Sequence, residues 1–130
     1  MFAAVAGISA CAGVEPVDVM RTPLAPSGDP ARGREIFVSR EAGHCVLCHA
    51  VPGVAVAGDI GPPLAGVGAR LDAGQLRLRV ADISRLNPDA TMPSFHRVEG
   101  LKRVAARYAG QPVLTAQQVE DVVAYLGTLK

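Results

Sequence analysis

In Cys45-Val46-Leu47-Cys48-His49, residue type and spacing together define a chemistry. Two thiols three residues apart on a helical turn share one face and stand about 5–6 Å from each other. That separation suits two thioether bonds to the vinyl groups on one porphyrin edge, and a histidine directly after the second cysteine carries its imidazole across the ring to the iron. The pattern is that of covalent c-type attachment: a single haem c held by Cys45 and Cys48, with His49 as proximal ligand. Other uses of the same residues are weaker. Zinc wants four ligands, and only Cys11 remains as a third cysteine. A thiol redox pair belongs beside a βαβ pattern, which the sequence lacks. A disulfide closing so short a loop would stabilise little.

The iron has a second axial position, and Met92, in Asn87-Pro88-Asp89-Ala90-Thr91-Met92-Pro93-Ser94-Phe95, is the candidate for it. A thioether is soft and neutral, favours ferrous iron and raises the reduction potential. The flanking prolines stiffen the segment that would present it. His96, in the same loop, is the rival and would give a bis-histidine haem of lower potential. Met20 lies in an irregular arm. His44 is too close to Cys45 to reach the distal side and reads as a surface residue.

These residues need helices to position them. Asp29-Pro30 reads as an N-cap followed by proline at the first helical position, opening a helix through Gly33, Ile36 and Phe37. Thr115-Ala116-Gln117-Gln118 is a capping box, and Val119, Val122, Val123 and Leu126 form an apolar stripe behind it. Glu120 and Asp121 lie off that stripe; Tyr125 either joins Phe37 or sits at an exposed edge. A middle helix starts near Asp72, with Leu76, Val80 and Ile83 facing inward. No segment alternates like a strand, and Gly66-Val67-Gly68 does not extend into a dinucleotide fingerprint. The expected fold is all-α, wrapped around one haem. Between Pro93 and Leu114, the residues Leu101, Val104, Tyr108 and Val113 suit either a surface helix completing the core or an added docking surface for a permanent partner.

Composition agrees with this reading without requiring it. The chain has 130 residues, no Trp, three Phe and two Tyr, so its centre is filled by aliphatics or by something that is not protein. With 13 basic against 12 acidic residues, nothing speaks for nucleic acid or for an anionic membrane. Basic residues do gather after the middle, at Arg70, Arg77, Arg79, Arg85, Arg97, Lys102, Arg103 and Arg107. Such residues belong first to solvated faces, and otherwise to partner docking or haem propionates. Residues 1–12 are small and apolar, too short to span a bilayer, and resemble a secretory signal. Either a lipobox-like Ile8-Ser9-Ala10-Cys11 leaves a lipidated Cys11, or cleavage follows Ala12. Export to the periplasm is expected, with membrane attachment only through a lipidated Cys11. Residues 13–28 read as a linker or arm, and 29–130 as the cytochrome domain.

Several of these motifs resemble class I cytochromes c. There a Gly-x-x-x-Phe helix, here Gly33 and Phe37, crosses the C-terminal helix. A methionine ligand follows the haem motif, as Met92 does. Gly61-Pro62-Pro63-Leu64 is similar to their Gly-Pro-x-Leu segment, which implies that the Pro62 carbonyl accepts from the proximal histidine. Over residues 33–129 the chain resembles more narrowly the SoxX family, monohaem subunits of the sulfur-oxidation (Sox) complex. The stretches concerned are Arg32 to Phe37, the segment around Cys45, Gly58 to Leu64, Leu76 to Val80, Asn87 to Phe95 and Pro112 to Thr115.

The SoxX resemblance implies an electron-transfer subunit with no catalytic residue of its own, in an L-cysteine S-thiosulfotransferase. Its SoxA-like haem-bearing partner carries the reactive cysteine that couples thiosulfate to a carrier protein. Electrons then leave through this chain to a downstream acceptor. Two other classes stay open at this point: a free periplasmic electron shuttle, and a haem sensor or peroxidase-like enzyme with an open sixth position.

Overall fold

The structure is a computed structural model that describes residues 19–130. The signal-like segment 1–12, Cys11 and residues 13–18 of the arm lie outside the described residues. Four α-helices follow in order: α1 (Pro30–Val38), α2 (Val67–Arg70), α3 (Ala73–Asp82) and α4 (Ala116–Gly127). Single 3₁₀ turns form at Cys45–Leu47, Ile83–Arg85 and Ala106–Tyr108, and there is no strand among the described residues.

Each long helix starts where a side chain can satisfy its free amides. Asp29 accepts from the Ala31 and Arg32 amides ahead of Pro30. Asp72 and Gln75 form a capping box on α3 (2.8 and 3.1 Å), and Thr115 and Gln118 form one on α4 (3.2 and 2.9 Å). Helix α1 crosses α4 at Gly33, where a Cβ would stand 1.9 Å from the Asp121 carbonyl oxygen, so only glycine allows the approach. One turn on, the Phe37 and Tyr125 rings meet edge to face, with centroids 5.6 Å apart. Both are buried, which places Tyr125 in the crossing. Leu76 and Val80 turn the inner face of α3 to the same core, and Ile83 falls in the 3₁₀ turn beyond it.

Two acidic residues off the apolar stripe of α4 are buried as well. Glu120 pairs with Arg77 of α3 through both carboxylate oxygens, at 2.6 and 3.0 Å, and each side chain is only 6% exposed. The pair also fixes the arm, because Arg77 donates to the Met20 carbonyl (2.7 Å) and the Leu24 amide donates to Glu120 (2.9 Å). Arg77 therefore leaves the set expected on solvated faces, and the described part of the arm, from Val19 onward, packs on the helices. Asp121 receives the Asp29 amide (2.8 Å), Gln117 (2.9 Å) and the Arg32 guanidinium (3.0 Å).

The stretch from Pro93 to Leu114 does not form the surface helix that its apolar spacing allowed. Gly100, Arg103 and Gly110 take positive φ, which no helix permits, and the 3₁₀ turn Ala106–Tyr108 is its only regular element. Residues 101–107 are exposed, while Phe95 and Leu114 are buried at the two ends. There the Leu114 amide donates to the Phe95 carbonyl at 2.8 Å and closes the segment into a loop with a narrow neck.

Replacing Glu120 by Ala strands the Arg77 charge in the interior, and we expect a loss of about 3–5 kcal/mol in urea unfolding of the haem-loaded protein. Burial pushes the Asp121 carboxyl up, but the Arg32, Asp29 and Gln117 donors outweigh it and hold the group below its ordinary value. A carboxyl depressed in the folded state stabilises fully above about pH 4 and loses that contribution as pH falls through its folded value. Asp121→Asn is thus expected to destabilise at pH 7, with the gap to the parent protein closing below about pH 4. Denaturation midpoints across that range measure it.

Candidate functional site

The cysteine motif sits on the 3₁₀ turn Cys45–Leu47, entered through His44 in the left-handed region (φ 60°). The Cys48 and His49 amides both bond back to the Cys45 carbonyl, at 3.1 and 3.0 Å, which keeps the five residues compact. The following loop is stitched across them by Gly58 N to Val46 O (2.9 Å), Gly61 N to Cys48 O (2.8 Å) and Leu64 N to Ala50 O (2.9 Å). Gly61 lies flat against the His49 imidazole, where a Cβ would come within 2.4 Å of Cε1. On the same ring, Nδ1 is 2.7 Å from the Pro62 carbonyl oxygen and donates to it. That hydrogen bond fixes the tautomer, so Nε2 carries the lone pair.

Cys45, Cys48 and His49 line a cavity of about 820 Å³. Phe37 of α1, Leu76 and Val80 of α3, and Val122 and Leu126 of α4 contribute apolar walls, and Met92 lines it from the Pro-flanked loop. Arg70 and Arg79 are the charged side chains of the lining, which holds no carboxylate. An apolar cleft of this size with few polar groups suits a large flat ligand. Cys45 and Cys48 form no disulfide, and burial pushes the Cys45 thiol up to about 12. A redox-active pair needs the reverse, a thiol shifted down. Among the described residues no group of three or more His, Cys, Asp or Glu is placed to hold a metal ion, so nothing there completes a zinc site around Cys45 and Cys48. The donors present, two unpaired thiols and an oriented imidazole at one apolar cavity, fit a covalent haem.

The other candidates separate by position. His96 does not line the cavity, and its Nδ1 is 2.9 Å from the Leu114 carbonyl oxygen. Met20 packs with the arm against the core. His44, read from sequence as a surface residue, is half-buried at the cavity lining, with Nε2 3.2 Å from the Tyr108 hydroxyl. Sequence reasoning missed that pairing because the two residues are 64 positions apart. It also left open where Arg79 would lie; its place on α3 beside the inward Leu76 and Val80 was the available signal.

The family model for cytochrome c matches residues 30–130, the whole of the helical body just described. The chain belongs to the cytochrome c family. Covalently bound haem c is that family's cofactor, and the cavity is where this cytochrome has the residues for it. In three dimensions the chain is similar to one in the crystal structure of SoxXA from P. pantotrophus: TM-score 0.80 and 37% identity, over 90% of this chain and 93% of that one. The SoxX likeness read from the sequence is thus shown in the fold. A second likeness is to the c-type cytochrome SorU from Sinorhizobium meliloti, with TM-score 0.51 and 27% identity over 77% of this chain and 88% of that one. Comparison with curated protein sequences found no significant match.

Gly61→Ala tests the support of the imidazole. The added methyl cannot share space with the ring, so His49 has to leave Pro62. By analogy with other groups that orient metal ligands, axial histidine ligation should weaken about 10–100-fold. Loss of low-spin haem absorbance is the readout, and a parental spectrum would count against this role for Gly61.

Proposed function

We propose that this cytochrome is the electron-transfer subunit of a SoxAX-type complex that oxidatively couples thiosulfate to a cysteine of a carrier protein. The observation that carries the reading is the likeness to the SoxXA chain over nearly the full length of both. In this reading Cys45 and Cys48 would hold one haem through thioether bonds, and His49 and Met92 would bind its iron. The haem, when bound, supplies reversible one-electron storage at the iron. Everything else is done by the chain. The Pro62 carbonyl holds the proton on His49 Nδ1 and keeps the other ring nitrogen for the metal. The walls around the site are mostly apolar, and Met92 on that lining would supply the second iron ligand that a sensor or peroxidase lacks.

The sulfur chemistry belongs to a SoxA-like partner. Joining thiosulfate to a cysteine thiol forms a sulfur–sulfur bond and releases one proton and two electrons, and those electrons leave one at a time through this subunit to a downstream acceptor. No cysteine of the described body is free for that reaction once Cys45 and Cys48 are committed to haem. The complex works in the periplasm on this view, with residues 1–12 as the export signal. The likeness to SorU, a c-type cytochrome, supports a second reading as a free periplasmic electron shuttle.

Affinity capture of the tagged native protein from thiosulfate-grown cells, followed by mass spectrometry, separates the two readings. We expect one stoichiometric haem protein with a cysteine beside its haem. A clean haem-loaded monomer, with no partner at any expression level, would instead establish the shuttle.

A further inference from the structure

The segment that carries Met92 to the cavity packs its methionine against the core but has few hydrogen bonds of its own. Thr91, Met92 and Pro93 make no hydrogen bond among the described residues. Upstream, the segment is braced by a turn at Asn87, which accepts the Ala90 amide on its carbonyl (3.1 Å) and the Asp89 amide on its side chain (3.0 Å). Downstream, the first tether after Met92 is the hydroxyl of Ser94, which donates to Asp82 Oδ1 at 2.8 Å. Only then does the Phe95 amide reach the Val80 carbonyl, at 3.2 Å.

Asp82 is the last residue of α3 and therefore belongs to the rigid body. Its side chain is 18% exposed and sits among donors. Ser84 also donates to Oδ1, and Arg97 stands 3.7 Å away while donating to Ser84 Oγ at 2.6 Å. Arg97 Nε in turn holds the Glu99 carbonyl (2.7 Å), so the same cluster fastens the start of the exposed loop. Burial pushes the Asp82 carboxyl up, but the two serines and Arg97 outweigh it and keep the group ionised at neutral pH. A charged acceptor makes each of these bonds stronger than a neutral pair would.

We propose that Asp82 is the positioning residue for the Met92 thioether, clamping the methionine segment to the end of α3 through Ser94. The proposal rests on Met92 as sixth ligand. Asp82 is not among the residues lining the cavity; its part is to set how much of the time the segment is in place. Releasing it raises the population in which Met92 has swung away and the iron is open to another ligand.

Exogenous imidazole binding to the ferric haem-loaded protein reads that population directly. For Asp82→Ala and Ser94→Ala we expect about tenfold tighter apparent imidazole binding, as loss of a hydrogen bond to a charged group implies. The methionine-to-iron charge-transfer absorbance should weaken in parallel. Ser84→Ala leaves the Ser94 tether intact and should bind imidazole as the parent does. A merely structural role for Asp82 predicts a lower melting temperature with imidazole affinity and absorbance unchanged, and that result in both variants would overturn the proposal. Should Asp82→Ala fail to load haem, Ser94→Ala decides alone. Met92→Ala separates the layers: if its spectrum matches the parent, the ligand reading underneath has failed rather than the clamp.

Discussion

A cavity of about 820 Å³, the size of a large flat cofactor, takes the place where other small domains have their centre, so this chain's own helix contacts lie around its rim. They begin where α1 crosses α4. Gly33 brings the two backbones together, and Phe37 and Tyr125 lock the next turn. Phe37 faces both the crossing and the cavity, so the contact that joins the two ends of the body also builds one wall of the site. Helix α3 is then added to α4 through Arg77 and Glu120, a pair without solvent to soften its loss. Such pairs contribute little net stability over apolar packing but penalise any other arrangement, since a single buried charge is costly. Here the pair specifies where the arm and α3 must lie.

The parts of the molecule readable from sequence are those whose causes are local. The caps at Asp29, Asp72 and Thr115 act on amides two or three residues away, so their residue types announce them. The cysteine motif is contiguous because both attachment points belong to one porphyrin edge. Pro62 needed family resemblance, since Gly-Pro also marks plain turns. What escaped was non-local. Periodicity put Glu120 and Asp121 outside the apolar stripe, and nothing in their neighbourhood showed that residues 19–29, with Arg32 and Arg77, would cover them. The stretch after Met92 misled for a related reason. Its apolar residues have helical spacing, but the left-handed geometry at Gly100, Arg103 and Gly110 overrides periodicity.

Charge is distributed to match this division of labour. The cavity lining carries arginines and no carboxylate, while the acidic residues with structural roles are spent on the opposite task of tying segments to helices. Beyond the neck, Lys102, Arg103 and Arg107 lie in a run of exposed residues. Arg107 stacks over the Tyr108 ring, 4.9 Å from its centroid, and Tyr108 reaches His44 beside the cysteine motif. The basic loop is thereby held beside the attachment edge of the cavity instead of trailing in solvent.

The bond between Leu114 and Phe95 has a consequence for how such a domain can diversify. Because the loop leaves and re-enters the body at one neck, its length on either side of the Tyr108 tether is decoupled from the geometry of the flanking helices. The entropy of closing a flexible loop rises by only about 0.6 kcal/mol for each doubling of its length. Descendants of this fold can therefore grow, shorten or recharge the segment beyond the neck at small cost to folding. A lineage can acquire a new surface there by insertion while the helices that frame the cavity stay as they are.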